Sequence, residues 1–229
     1  MSRFLNDKKR HLITLVNPRS PISESYRALR TNIEFSSVDT QTQIIMVTSA
    51  GPAEGKSTVI GNLAVAYAQN DRSVLLIDAD LRKPTVHRTF QLTNRYGLSS
   101  FLSHQAGLEH VIQESEVPNL YVMTAGPIPP NPAEMLGSKS MSKLLDSLRK
   151  QFDIILIDTP PVLAVTDAQL LASQSDGAVL VINSGKVKKD IALKAKQNLD
   201  RVNARLLGVV LNNVKRKASE EYYYYYYGN

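Results

Sequence analysis

The chain has 229 residues, 43% of them hydrophobic and 21% charged, with 27 Lys+Arg against 21 Asp+Glu and a net charge of +6; that length buries one large core without a disulfide or metal staple. Zero cysteines exclude disulfide scaffolds, thiolate zinc sites, iron–sulfur clusters and cysteine nucleophiles. No apolar run reaches the roughly 18 residues of a membrane helix, and none follows the basic start MSRFLNDKKRH, so a soluble cytoplasmic protein without a signal peptide is expected. Residues 1–42 hold one helical stretch, 21–35, ahead of the first strand and read as an extension. Short continuous apolar runs, often β-branched, read as buried parallel strands: 43–48 (QIIMVT), 73–77 (SVLLI), 119–123 (NLYVM), 153–157 (DIILI), 177–182 (GAVLVI) and 206–211 (LLGVVL). Helical periodicity occupies 56–69, 138–150, 167–173 and 188–202. The Pro-rich stretch 126–134 (GPIPPNPAE) is expected as a loop leading into a short helix, and Pro160-Pro161 ends a strand abruptly.

Strands alternating with helices predict a doubly wound α/β fold, its mostly parallel sheet covered on both faces, with ligands at the carboxyl ends of the strands. The division expected is an extension at 1–42, a core domain at 43–213 and a tail at 214–229. That tail, VKRKASEEYYYYYYGN, lacks the periodicity needed to pack and is expected to be flexible. Charge is uneven: residues 186–217 hold ten basic and two acidic residues. Such a stretch attracts anionic surfaces, but a solvated helix face explains 188–196 as well. The aromatic platforms of single-strand binders are missing away from the tail, so no nucleic-acid partner is expected.

The chemistry gathers at strand ends. Ala50-Gly51-Pro52-Ala53-Glu54-Gly55-Lys56-Ser57-Thr58 follows one strand and opens a helix, the context that a phosphate-binding P-loop demands, with Ala in the first glycine's place. Gly51, Glu54, Gly55, Lys56, Ser57 and Thr58 are the expected nucleotide contacts. Glycines let backbone N–H groups curl around phosphate oxygens and the helix N-terminus adds its dipole. Lys56 can reach the β- and γ-phosphates, and the Ser57 hydroxyl can ligate Mg²⁺. Asp78 and Asp80, two residues apart at the end of VLLIDAD, are expected beside the P-loop, and Asp158 ends IILID in the position of a Walker B acid. An aspartate at a strand end is ordinarily a turn or capping residue; three on two strands of a P-loop chain point to a Mg²⁺–nucleotide site.

These motifs, in this order, resemble the bacterial tyrosine kinases called BY-kinases across nearly the whole chain. LLIDADLRKP resembles the family's second Walker motif, Glu24-x-x-Arg27-x-x-Arg30 its oligomerisation motif, and Tyr222, Tyr223, Tyr224, Tyr225, Tyr226 and Tyr227 its tyrosine-cluster tail. Two features depart from the pattern: the tyrosines are contiguous, and no membrane-spanning half is present, as in the split, Gram-positive type. The resemblance implies a catalytic set of Lys56, Asp78, Asp80, Arg82 and Asp158, and Ser57, Asp78, Asp80 and Asp158 as metal-shell candidates. Asp78 would be the acid that accepts the tyrosine proton, while Arg82 would either steady transferred charge or pair with Asp80. Asn212 and Asn213 sit where related folds read adenine, or form a turn pair. The resemblance further implies ATP and Mg²⁺ as cofactors, trans autophosphorylation of the tail, and a homo-oligomeric, octameric ring. It also implies protein-tyrosine substrates, recruitment to the inner membrane face by a transmembrane activator with a cytoplasmic tail, and control of capsular or exopolysaccharide synthesis. The alternative is a partitioning-type ATPase acting as a membrane- or DNA-bound switch. Those ATPases carry a second lysine early in the P-loop, which this chain lacks around Gly51.

Overall fold

In the computed structural model, residues 12–36 and 42–215 are described. In chain order the elements are α1 (Ile13–Val16), α2 (Pro21–Phe35), β1 (Ile44–Ser49), α3 (Lys56–Ala68), β2 (Val74–Asp78), α4 (Val86–Thr89), α5 (Leu98–Leu102), α6 (Leu108–Val111), β3 (Ile112–Glu114), β4 (Leu120–Met123), α7 (Pro132–Leu136), α8 (Lys139–Leu148), β5 (Ile154–Asp158), α9 (Asp167–Ala172), β6 (Gly177–Asn183), α10 (Lys189–Asp200) and β7 (Leu206–Asn212). The seven strands form one sheet in the order β3-β4-β2-β5-β1-β6-β7, parallel except for β3 against β4. Strands β1, β2, β5 and β6 are buried along their whole length, as continuous apolar runs with helices on both faces must be.

β2 does not adjoin β1; β5 lies between them, pairing with β1 on one side and β2 on the other. The registers place Asp78 opposite Asp158 and Val47 opposite that same Asp158. The two acid-bearing strands are therefore neighbours, with the Walker B strand next to the P-loop strand.

Helix α3 explains the chain ahead of β1. Its sequence, KSTVIGNLAVAYA, is apolar around nearly its whole circumference and is buried from Val59 to Ala68. A helix of that kind needs cover on the side away from the sheet, and α1 and α2 supply it, with Leu12 and Ile33 in the same core as Leu63 and Tyr67. The polar Asn62 inside this layer is satisfied: Thr14 donates to its Oδ1 from N at 3.0 Å and from Oγ1 at 2.9 Å, and Asn62 donates to Thr58 O at 2.9 Å. Helix α2 starts cleanly because Ser20 accepts from Ser23 N at 3.1 Å and Pro21 occupies its first turn. On the other face of the sheet, α8 and α10 bury Leu144, Leu148 and Leu199 against Ile44, Leu75 and Leu180. The lysines of α10 stay outside, the solvated helix face anticipated for this stretch.

At the amino ends of the strands, Asp176 accepts from Gln43 N at 2.9 Å and Ile44 N at 2.7 Å, and receives Arg149 as a bidentate partner at 2.8 and 2.6 Å. Burial pushes its carboxyl up, but Arg149 and the two backbone donors outweigh that and hold it below its ordinary value.

Candidate active site

The P-loop is the turn between β1 and α3. It passes through left-handed backbone at Ala53 (φ 60°) and Gly55 (φ 94°). A Cβ at Gly55 would overlap the Asn212 side chain, so glycine is needed there for conformation and for space. Helix α3 has no side-chain cap at its N-terminus, which leaves its first N–H groups free to receive an anion. The buried Glu54 carboxylate turns back into the loop, where Oε1 accepts from Gly51 N and Oε2 from Asn183 N at 3.2 Å. Asn212 Nδ2 donates to Glu54 O at 2.9 Å, and Asn213 Nδ2 to Asn183 Oδ1 at 3.2 Å. Both asparagines therefore stand at the rim of the loop, and here their side chains brace protein groups.

Lys56 begins α3 and points across the ends of β2 and β5. Its Nζ lies 3.1 Å from Asp80 Oδ2, 3.4 Å from Asp158 Oδ1 and 3.2 Å from Ser57 Oγ, with 13% of the side chain exposed. Burial lowers the lysine's pKa, but Asp158 and Asp80 more than compensate and leave it raised. The Asp158 carboxyl is raised chiefly by burial, against the pull of Lys56 and Ser57. Asp158 Oδ2 is buried without a hydrogen-bond partner. An orphaned carboxylate oxygen at the end of a strand, beside the P-loop serine, fits a cation held partly through water. Among the described residues no group of three or more His, Cys, Asp or Glu side chains could hold a metal ion. That suits Mg²⁺, which takes one or two carboxylates and completes its shell with water and phosphate oxygens.

Asp78 ends β2. It is wholly buried, and its carboxylate organises its own loop: Oδ1 accepts from Asp80 N at 3.2 Å, and Oδ2 from Thr85 N at 3.0 Å and Val86 N at 2.9 Å. Burial, with Asp158 opposite, pushes its pKa up to about 7. Arg82 pairs with neither a phosphate-facing group nor Asp80. Its guanidinium makes a fork to Asp167, from Nε to Oδ2 at 2.9 Å and Nη2 to Oδ1 at 3.0 Å, and the acid at the head of α9 is fully buried while Arg82 is 39% exposed. Sequence reasoning missed Asp167, because an aspartate opening a helix looks like any other first-turn acid. It also missed Thr159, whose Oγ1 donates to Val47 O at 3.0 Å and fixes the turn after Asp158.

The Glu24/Arg27/Arg30 row does not present one face. Arg27 Nε bonds Glu24 Oε2 at 2.7 Å and its Nη2 bonds Pro18 O at 2.8 Å. Arg30 instead reaches inward, donating from Nη1 to Ala66 O near the C-terminus of α3 at 2.9 Å. The i to i+6 step carries Arg30 about 120° away from Glu24 on a helix of 3.6 residues per turn. Tyr222 to Tyr227 lie outside the described residues.

Residues 40–226 match the ParA family, described as "NUBPL iron-transfer P-loop NTPase". Among named proteins, the chain is 52% identical to the tyrosine-protein kinase YwqD of Bacillus subtilis over 207 residues, covering 90% of this chain and 87% of that protein. It is 42% identical to the putative tyrosine-protein kinase CapB of Staphylococcus aureus, with 86% of each covered. The kinase domain of the Escherichia coli tyrosine kinase ETK superposes with a TM-score of 0.88 at 35% identity, covering 96% of this chain and 85% of that one. The chain belongs to the BY-kinase family. A cell-division ATPase, MinD of Pyrococcus furiosus, shares the fold at TM-score 0.66 and 28% identity, so this BY-kinase keeps the architecture of the partitioning ATPases while its higher identities lie with kinases. Iron–sulfur clusters are held by cysteine thiolates, and this kinase has no cysteine.

Proposed function

We propose that this protein transfers the γ-phosphoryl group of ATP, as its Mg²⁺ complex, to tyrosines of its own tail, Tyr222 to Tyr227, in a neighbouring copy. The observation that carries this reading is the convergence of Lys56, Ser57, Asp80 and Asp158 at the end of the sheet, with Asp158 Oδ2 left without a partner. The N–H groups of residues 53–57 receive phosphate oxygens, and Lys56 exchanges its carboxylates for the transferred phosphoryl. Ser57, Asp80 and Asp158 would hold the metal ion, which when bound would neutralise charge on the phosphates. The tyrosine Oη forms a bond to the γ-phosphorus as the bond to the departing ADP oxygen breaks. An unperturbed phenol has a pKa of ~10, so a carboxylate must take its proton. Asp78 serves as that acceptor when the 79–86 loop loosens its hold; otherwise Asp80, at the same strand end, receives it. Asn212 and Asn213, at the rim, read the adenine.

Among the described residues no helix is long and apolar enough to cross a membrane. We place the protein at the inner membrane face, brought there by a transmembrane activator whose cytoplasmic tail it binds. There it works as a ring of copies, octameric by family resemblance, in the control of capsular or exopolysaccharide synthesis. A mixing experiment tests the trans reading. A Lys56→Met protein with an intact tail is incubated with an active protein whose six tail tyrosines are Phe, together with ATP and Mg²⁺. Phosphate on the Lys56→Met tail supports transfer between copies. An unmodified Lys56→Met tail, with wild-type labelling at a rate independent of protein concentration, contradicts it.

A further inference from the structure

The nucleotide site leaves the basic stretch after β6 unused, yet the fold puts it where the tail departs. The chain turns at Gly185 (φ 73°) and presents Lys186, Lys188 and Lys189, all exposed. Three bonds fix this turn: Asn183 N donates to Glu54 Oε2 at 3.2 Å, Ser184 N to Asn212 O at 2.8 Å, and Asn213 Nδ2 to Asn183 Oδ1 at 3.2 Å. One side of the turn therefore abuts the P-loop and the other abuts the end of β7. The described residues stop at Lys215, three positions beyond Asn212. Among the described residues none of the three ammonium groups has an ion-pair partner. Helix α10 starts at this turn without a side-chain cap, so its first N–H groups add to the positive field.

We propose that the Lys186–Lys188–Lys189 turn is a docking surface for the phosphorylated tail of this chain, the segment 219–227 (SEEYYYYYY). The proposal rests on the tail being the substrate. Unmodified, that segment offers Glu220 and Glu221. Each phosphotyrosine adds roughly −1.5 to −2 charge and three strong acceptor oxygens, so the surface binds product in preference to substrate. Reach is sufficient: six residues lie between Lys215 and Tyr222, and the seven steps span up to about 25 Å at roughly 3.3–3.6 Å each, starting from the turn's own neighbour. The consequence is retention of the modified tail at the mouth of the P-loop, where it delays the arrival of the next tail.

The test uses the full-length protein without ATP, so that its own tail stays unmodified. Fluorescent peptides of residues 219–229, either plain or phosphorylated at Tyr222, Tyr224 and Tyr226, are titrated by anisotropy at low and moderate salt. The phosphopeptide is expected to bind at least about tenfold tighter than the plain peptide, with the difference shrinking as salt rises. Lys186→Glu, Lys188→Glu and Lys189→Glu together should abolish that preference. The matched triple Lys139→Glu, Lys143→Glu and Lys150→Glu, exposed positions on and just beyond α8, should leave it within about twofold. Equal binding of the two peptides overturns the proposal. So does a preference that survives reversal at the turn, or one lost equally on reversal at α8. Thermal melts show whether each variant is folded. Because the phosphates are introduced chemically, a protein that fails to phosphorylate its tail refutes the kinase reading without touching this result.

Discussion

Lys56 stands between Asp80 and Asp158, and the residues around it divide into those proposed to touch phosphate or metal and those that hold others in place. Gly55 is of the second kind. Gly55→Ala adds a Cβ against Asn212 in left-handed backbone, a strain of order 1–2 kcal/mol before any clash. Mg²⁺–ADP affinity should fall at least about tenfold by calorimetry, and adding Asn212→Ala should recover part of the loss by clearing the space. Asp167 also acts through a neighbour. Asp167→Asn keeps the volume but weakens the fork on Arg82, freeing the guanidinium to turn toward Asp80 and occupy a metal ligand. Tail phosphorylation should fall by about 10- to 100-fold while Mg²⁺–ADP affinity shifts less than about threefold; equal losses in both would make the pair merely structural. Protonation gives a third prediction. Asp78 is raised from 3.8 to about 7, so its stabilising contribution is full below the unfolded value and is lost as pH rises through about 7. The protonated, neutral acid also attracts a cation less. Mg²⁺–ADP binding should therefore strengthen between about pH 6 and 8, and Asp78→Asn should flatten that rise. Asp176, held below its ordinary value, has the opposite sign, contributing above its unfolded pKa and losing that contribution as pH falls through the folded one.

Helices α2 and α3 show why an oligomerisation motif has to be read in three dimensions. Arg30 is tied within its own chain to Ala66 O, whereas Glu24 and Arg27 form a partly exposed pair. Arg30→Ala should therefore lower the thermal midpoint by about 2–4 °C, from the loss of roughly 1 kcal/mol of charged hydrogen bonding. Glu24→Ala with Arg27→Ala should leave that midpoint nearly unchanged, because an exposed i,i+3 pair contributes little. If these two residues join copies, the double variant should instead shrink the assembly in light scattering, and an unchanged mass would return them to an ordinary surface pair. The six parallel strands are legible in the sequence because each is a continuous apolar run. Strand β3 (Ile112–Glu114) and helices α1, α4, α5 and α6 are not, since runs of three to five residues have no period to detect. Strand order is also hidden: no local pattern tells that β5 inserts between β1 and β2. The same limit conceals the Arg82–Asp167 fork, which joins residues 85 positions apart. Lys56, Ser57, Asp80 and Asp158 are legible, because their chemistry depends on strand ends that the apolar runs already mark.

For the molecule as a whole, a parallel sheet gathers its acids at one end, and the last strand delivers the chain's tail to that same end. With Asn212 braced on Glu54 and Asn213 on Asn183, β7 ends beside the P-loop, at the same end of the sheet as the acids. Six phosphotyrosines would add on the order of −9 to −12 charges per tail, enough for crowded tails to repel one another at moderate salt. Phosphorylation should then reduce the assembly's mass in light scattering. An unchanged mass would separate the chemistry from any control of assembly. The most direct test of the kinase reading is site-resolved mass spectrometry of the purified protein after incubation with ATP and Mg²⁺, with and without an activator tail, beside a folded Lys56→Met variant. Phosphate should appear on Tyr222 to Tyr227 of the wild type and drop by about 10³-fold or more in Lys56→Met. ATP hydrolysis without phosphotyrosine, or tail phosphorylation undiminished in folded Lys56→Met protein, would contradict it.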